Sequence, residues 1–406
     1  MDHTTGALVL GGNLNGLSIA RSLGRHRVPV WVVSPPNIRL ASFSRYTRRT
    51  LPWPSADDET QVEYLLEIAA RNNLDQWVLF PTSDESAALL SRFHSRLSRR
   101  FRVSAPAWSV LRWAYDKRLT YQLAADQNVD CPTTFYPLSD ADLNDIHCAF
   151  PAILKPAIHA SINRLTEDKA WRVANHQELL LKYREARELM PPDLILVQEM
   201  IPGGGESQFS YAALVCDGKP IASLTARRTR QYPIDFGYSS SFVETLDVPE
   251  IVAPSERLLG AIRYTGIVEV EYKFDSRDGR FKLLDINPRL WTWSPLGGRA
   301  GMDFPYLLWK MMQGLPVAEQ QAPAGVRWVR MSTDLPAAFQ EMLRGRLNLR
   351  SYLRSLRQPL QFALVAADDP LPGLMDLPIF AFKHIYNMYA NLRKSAEGAR
   401  RYPAKS

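Results

Sequence analysis

Cysteine is scarce in these 406 residues. Cys131, Cys148 and Cys216 are three, odd in number, scattered, and form no CxxC pair. That excludes a disulfide framework and a cysteine-based zinc site, and it fits thiols kept reduced in a cytoplasm. Long apolar runs are missing as well, since no stretch approaches the ~18 apolar residues of a spanning helix. The opening MDHTTGALVLGG has an acid, no basic n-region and an apolar run of only four, so it does not read as a signal peptide. A basic groove is also missing. The net charge is +7, but segment 319–406 carries 13 Lys+Arg against 7 Asp+Glu, a balance of +6. With nearly all the excess in that tail, a nucleic-acid partner for the body of the protein is not indicated.

What is present is a globular composition, 46% hydrophobic and 22% charged, on a chain long enough for two or three domains. Residues 7–33 read strand, Gly-rich turn, helix, strand, a βαβ opening. A dinucleotide-binding loop, and with it an NAD-dependent oxidoreductase, is one reading of this segment. Against it, the glycines fall as Gly11-Gly12-x-x-x-Gly16 rather than G-x-G-x-x-G, and the second strand ends in Ser34-Pro35-Pro36 with no acid for a ribose hydroxyl. The short strand Trp77–Phe80 is followed by Pro81-Thr82-Ser83-Asp84-Glu85. Asp84 or Glu85 could there face an amine ligand, or Ser83 or Asp84 could simply cap a helix.

The stretch from Gly266 to Arg289 organises the rest. Val268, Val270 and Tyr272 alternate with Glu269, Glu271 and Lys273, Asp275–Gly279 is turn chemistry, and Phe281–Asn287 alternates again. This is a β-hairpin. Asp285 and Asn287 share a face, beside a strand that offers Glu269 and Glu271. Carboxylates side by side repel, and a hard divalent cation with oxygen ligands removes the conflict. A solvated hairpin with its acids in water beside Lys273 and Lys282 is the plain alternative. Arg289, just beyond the oxygens, suits a transferred phosphoryl group.

Glu271 followed by Asp285-Ile286-Asn287-Pro288-Arg289 resembles the metal-binding signature of the ATP-grasp superfamily, which includes biotin carboxylase and D-alanine–D-alanine ligase. Asp285 stands where the family usually has Glu. Lys117 on the helix Trp108–Asp126 and Lys155 closing the strand Ile153-Leu154-Lys155-Pro156 resemble the two lysines that reach the ATP phosphates. Leu194–Glu206 resembles the adenine hinge, with the backbone from Glu199 to Ile201 reading adenine, Gln198 and Met200 packing, and Glu206 accepting ribose hydroxyls. The segment after Lys155, AIHASINRLTEDK, lacks the glycines of the usual phosphate-covering loop; Ser161, Asn163, Arg164 or Lys169 are the candidates to substitute with side chains, and His159 reads as a loop histidine. The resemblance covers roughly residues 7–318 and is nearest to the predicted carboxylate–amine ligases.

The resemblance implies an α/β protein with a Rossmann-like pre-ATP-grasp domain (1–106), an ATP-grasp domain with antiparallel sheets (107–318) and a basic, helical C-terminal extension (319–406). It implies ATP and Mg²⁺ or Mn²⁺ as cofactors, Glu271, Asp285 and Asn287 as metal ligands with Glu269 as a rival to Glu271, and small-molecule carboxylate and amine substrates joined through an acyl phosphate. Arg227, Arg228 and Arg230 follow a core strand; Arg228 and Arg230 join Arg289 as candidates facing phosphate or a substrate carboxylate, the plain alternative being a wet surface. Trp291-Thr292-Trp293 is expected to wall the site. In the tail, Ile379, Phe382, Tyr386, Tyr389 and Leu392 fall at helical spacing with Lys383, Arg393, Lys394, Arg400 and Arg401 nearby. That pattern fits a helix packed on the body or one lying on an anionic membrane. A non-catalytic, membrane-recruited ATP-binding module is the third functional class.

Overall fold

The computed structural model describes residues 5–37, 39–158, 163–234, 239–357, 359–376 and 378. His159 and Ser161, and the tail pattern from Ile379 to Arg401, lie outside them. The chain is α/β, built on three sheets. The first is parallel, in the order β3 (Thr47–Pro52), β2 (Val30–Ser34), β1 (Ala7–Leu10), β4 (Val78–Pro81), β5 (Arg102–Val103). Every residue of β1 and β4 is buried, as continuous apolar runs covered on both faces should be. The glycines after β1 are accounted for by packing. Gly11 has φ +129°, and a Cβ there would meet Thr82 Oγ1 at 2.0 Å; one on Gly16 would meet the Gly11 carbonyl at 2.0 Å.

A four-stranded antiparallel sheet follows in the order β6 (Thr134–Phe135), β9 (Ile195–Glu199), β7 (Ala152–Pro156), β8 (Trp171–Val173). The third sheet has eight strands. Its main path runs β14 (Arg280–Asn287), β13 (Gly266–Asp275), β10 (Gln208–Cys216), β11 (Lys219–Tyr232), β12 (Ser239–Thr245), β16 (Arg327–Val329), β17 (Leu360–Phe362), and β15 (Gln320–Gln321) pairs with β11. The β10–β11 turn is Asp217-Gly218, both at positive φ (49° and 80°), the two-residue hairpin that matches strand twist. The β13–β14 turn carries Gly279 at φ 72°.

Val268, Val270 and Tyr272 point from β13 into a core shared with Leu283 and Ile286, which leaves Glu269 and Glu271 on the opposite face. Residues 320–362 are woven into the large sheet, and the chain then returns to the first sheet's helix Leu14–Arg25. There Arg21 donates 2.8 and 2.7 Å bonds to Asp369, both side chains buried. Asn15 donates to the carbonyls of Thr82 (3.0 Å) and Leu290 (2.9 Å), fixing the segment after Arg289 against the parallel sheet.

Candidate active site

A cleft of about 390 Å³ forms where the three sheets meet. Lys155 and Gln198 come from the small sheet, Glu269, Glu271, Asp285 and Asn287 from β13 and β14, and Arg228 from β11. Asp84 and Glu85 reach it from the end of β4, Lys117 from the helix Lys117–Asp126, and Trp291, Thr292 and Trp293 wall it.

Register brings the acids together. Glu271 lies opposite Asp285 and Glu269 opposite Asn287, and the Asn287 amide donates to Glu269 (3.2 Å) and Glu271 (3.0 Å). A bulge helps aim them: Tyr272 pairs with Leu283 while Glu271 pairs with Asp285, so Leu284 is one residue extra. The two glutamates differ in surroundings. Glu269 is 3% exposed and accepts from Ser210 (2.9 Å) and the Trp293 indole (3.1 Å). Burial, and then the charge of Glu271, push its carboxyl above the ordinary range. Glu271 stands at the cleft, 3.4 Å from Arg228. Among the described residues no group of three or more His, Cys, Asp and Glu side chains is gathered as a metal site. The oxygen set here is two carboxylates and an amide, hard donors that fit Mg²⁺ or Mn²⁺ sharing further ligands with phosphate.

Cations face these acids. Lys117 Nζ is 2.8 Å from Asp285; burial pulls its pKa down, but Asp285 outweighs that and the net shift is upward. Lys155 is buried and donates to the Tyr121 hydroxyl at 2.6 Å, which in turn donates to the bulged Leu284 carbonyl at 2.8 Å. Burial, then the neighbouring Lys117 charge, lower Lys155 to about 7. Arg289 donates to Asp84 at 2.8 and 3.2 Å, and burial, opposed and outweighed by Asp84, leaves its pKa raised. Ser83 caps the helix Asp84–Arg92, and Asp84 and Glu85 line the cleft.

The segment after Lys155 divides. Asn163 caps the short helix Arg164–Asp168, Arg164 pairs with Glu185 outside the cleft, and Lys169 enters the cleft from a positive φ of 62°. In the hinge, the amides of Glu199 and Met200 donate to the carbonyls of Thr133 and Pro151. Among the described residues no protein carbonyl accepts from the Ile201 amide. The Glu199 side chain is held by Arg277 (3.0 Å) and Lys282 (3.5 Å), and Gln198 donates to Thr134 (2.7 Å). Met200 and Glu206 line an adjoining cavity of about 730 Å³, where Glu206 accepts from the Gly204 amide at 2.9 Å.

Arg230, like Met200 and Glu206, lines the adjoining cavity rather than the cleft that holds the acids. It makes two bonds to Asp334 (2.8 and 2.9 Å), with side chains 7% and 0% exposed. The cause is register: the β11–β12 pairing shifts between Arg228 and Arg230, breaking the alternation that would have set both on one face.

No family model matches the sequence. A D-aspartate ligase of Enterococcus faecium (strain Aus0004) is 24% identical over 245 residues, 57% of this chain and 58% of that protein. The match thus spans less than two thirds of the relative's own length. Among solved structures, L-amino acid ligase from Bacillus licheniformis superposes with a TM-score of 0.61 at 13% identity, over 77% of this chain and 75% of that one. The biotin carboxylase domain of Hydrogenobacter thermophilus 2-oxoglutarate carboxylase gives 0.62 at 14% identity, over 80% and 74%. The chain has the ATP-grasp fold.

Within the ATP-grasp frame, three features of the site escaped sequence reasoning. Tyr121 sits one helical turn after Lys117, a spacing that could have flagged it. The Asp84–Arg289 pair joins residues 205 positions apart, and Trp293 and Ser210 hold Glu269 from two different segments. No local pattern announces those contacts.

Proposed function

We propose that this chain is an ATP-dependent ligase that joins a carboxylate to an amine through an acyl phosphate. One observation carries the reading: Glu271, Asp285 and Asn287 converge from two paired strands on the cleft that Lys117 and Lys155 enter from the other side. Glu271, Asp285 and Asn287 would hold Mg²⁺ or Mn²⁺, with Glu269 behind them as a buried acceptor. The metal, when bound, supplies charge neutralisation for the phosphates. Lys117, Lys155 and Lys169 then grip phosphate oxygens, the Glu199–Ile201 backbone reads adenine, Gln198 and Met200 pack beside it, and Glu206 takes the ribose hydroxyls.

The substrate carboxylate oxygen attacks the γ-phosphorus and the bond to ADP breaks. The amine nitrogen then attacks the acyl carbon, phosphate leaves, and the amine loses its proton to form the amide. Such a transfer asks chiefly for positioning and charge neutralisation. Arg228 and Arg289 offer guanidinium forks to the transferring group, and Asp84 and Glu85 offer carboxylates to an incoming ammonium. We assign residues 1–106, 107–318 and 319–406 to the pre-ATP-grasp domain, the ATP-grasp domain and an extension, and place the reaction in the cytoplasm, where ATP is supplied. The test is an ADP-release screen of amino acids and small acids, in pairs, with Mg²⁺. Release that needs both an acid and an amine supports the ligase; ATP binding with no release under any pair would sink it.

A further inference from the structure

The large apolar side chains left in water are concentrated late in the chain. Leu335, Phe339 and Leu343 are 52%, 62% and 72% exposed, four residues apart along the helix Met331–Leu343. Leu349 and Leu353, 61% and 56% exposed, repeat the spacing on the helix Leu349–Ser355. Both helices are anchored by their opposite sides to Arg230. Asp334 takes two of its bonds, Ser355 accepts a third at 3.2 Å, and the Tyr352 ring lies 5.1 Å from the guanidinium. That anchoring holds the apolar stripes outward.

Charge says what the stripes face. Residues 342–367 contain five arginines and no Asp or Glu. Glu341, just before them, lies 3.8 Å from Arg346. Arg350 and Arg354 are exposed and follow Leu349 and Leu353 directly. A second copy of this chain meeting the same face would set arginines against arginines with too few acids to pair them. Apolar side chains rimmed by arginines are instead the pattern of a helix resting at the boundary between headgroups and acyl chains. We propose that the outer faces of Met331–Leu343 and Leu349–Ser355 seat this protein on an anionic lipid bilayer. The apolar stripes line neither the cleft nor the adjoining cavity, whose wall takes Ala337, Glu341 and Arg346 from the other side of these segments, and the proposal stands whether or not the ligase reading does.

The test is sedimentation of the full chain with vesicles of phosphatidylcholine alone or with about one-third phosphatidylserine. Binding is expected to the anionic vesicles only, and to weaken as NaCl rises from about 0.1 M to about 0.5 M and the screening length shortens. Arg350→Gln with Arg354→Gln should weaken it about fivefold per arginine, roughly 25-fold together. Phe339→Glu with Leu343→Glu should weaken it by more than about tenfold, with the wild-type melting temperature retained. Both variants keep residues 379–406, so undiminished binding in both would overturn the proposal. Equal binding to neutral vesicles would also overturn it, as would a concentration-dependent dimer, seen by light scattering, that Phe339→Glu abolishes.

Discussion

Nucleotide binding should take up a proton, and Lys155 is the group that accepts it. Its ammonium is buried, its hydrogen-bond partner is the neutral Tyr121 hydroxyl, and Lys117 adds a like charge, so it titrates at about 7. The phosphates of a bound nucleotide laid against it would restore a value near the ordinary ~10.4 of lysine. At pH 7.5 about one quarter of the unliganded protein carries that proton, so binding should draw roughly 0.75 proton from solution. At pH 6 the site is already about nine-tenths protonated and the uptake shrinks to about 0.1. Above pH 7 the affinity should therefore fall with rising pH, approaching tenfold per unit. Calorimetric titration with Mg²⁺ and ADP, repeated in buffers of different ionisation heats, reads the uptake directly. Lys155→Met should remove it. An equal uptake in that variant, or none in the wild type at pH 7.5, would refute the role given to Lys155.

Other perturbations separate structure from chemistry. Asp285→Ala should abolish acid- and amine-dependent ADP release; full turnover would remove Asp285 from the metal set. Asp334→Ala leaves the buried Arg230 guanidinium without its carboxylate and should cost about 3–5 kcal/mol in urea unfolding. A loss well under about 1 kcal/mol would mean that water reaches this pair. Glu269 has a raised carboxyl pKa in the folded chain, so its contribution to stability is present below the unfolded value of about 4.3 and is lost as pH rises through the folded one. Glu269→Gln should flatten that decline in metal-free urea titrations, and parallel curves for the two proteins would contradict the assignment.

The parts of this site that could be read from sequence are those written in a local period. Alternation of two marked β13 and β14 as a hairpin carrying Glu269, Glu271, Asp285 and Asn287, and the ATP-grasp resemblance named the metal set, but the register that sets Glu271 opposite Asp285 was not legible. Lys155 was visible because the strand Ile153-Leu154-Lys155-Pro156 resembles the ATP-grasp strand whose lysine reaches the phosphates. What escaped depends on breaks in the period or on distance along the chain. The register shift after Arg228 turned Arg230 from a cleft candidate into the anchor of two helices, and alternation gives no warning of a shift. Three-residue strands such as β16 and β17 carry too short a pattern to be seen, although they extend the large sheet by two strands.

The bulge at Leu284 links the legible and the illegible parts. An unbroken β14 would pair Glu271 with Leu284 and turn Asp285 away from Lys117. The extra residue instead sets Asp285 opposite Glu271, 2.8 Å from Lys117, and offers the Leu284 carbonyl to the Tyr121 hydroxyl that holds Lys155. One irregularity thus fixes a carboxylate of the proposed metal set and, through Tyr121, a lysine of the proposed phosphate set. The separation between the two halves of the cleft is in this way set by backbone geometry rather than by the reach of flexible side chains. That is the preorganisation that a reaction driven by positioning and charge neutralisation requires.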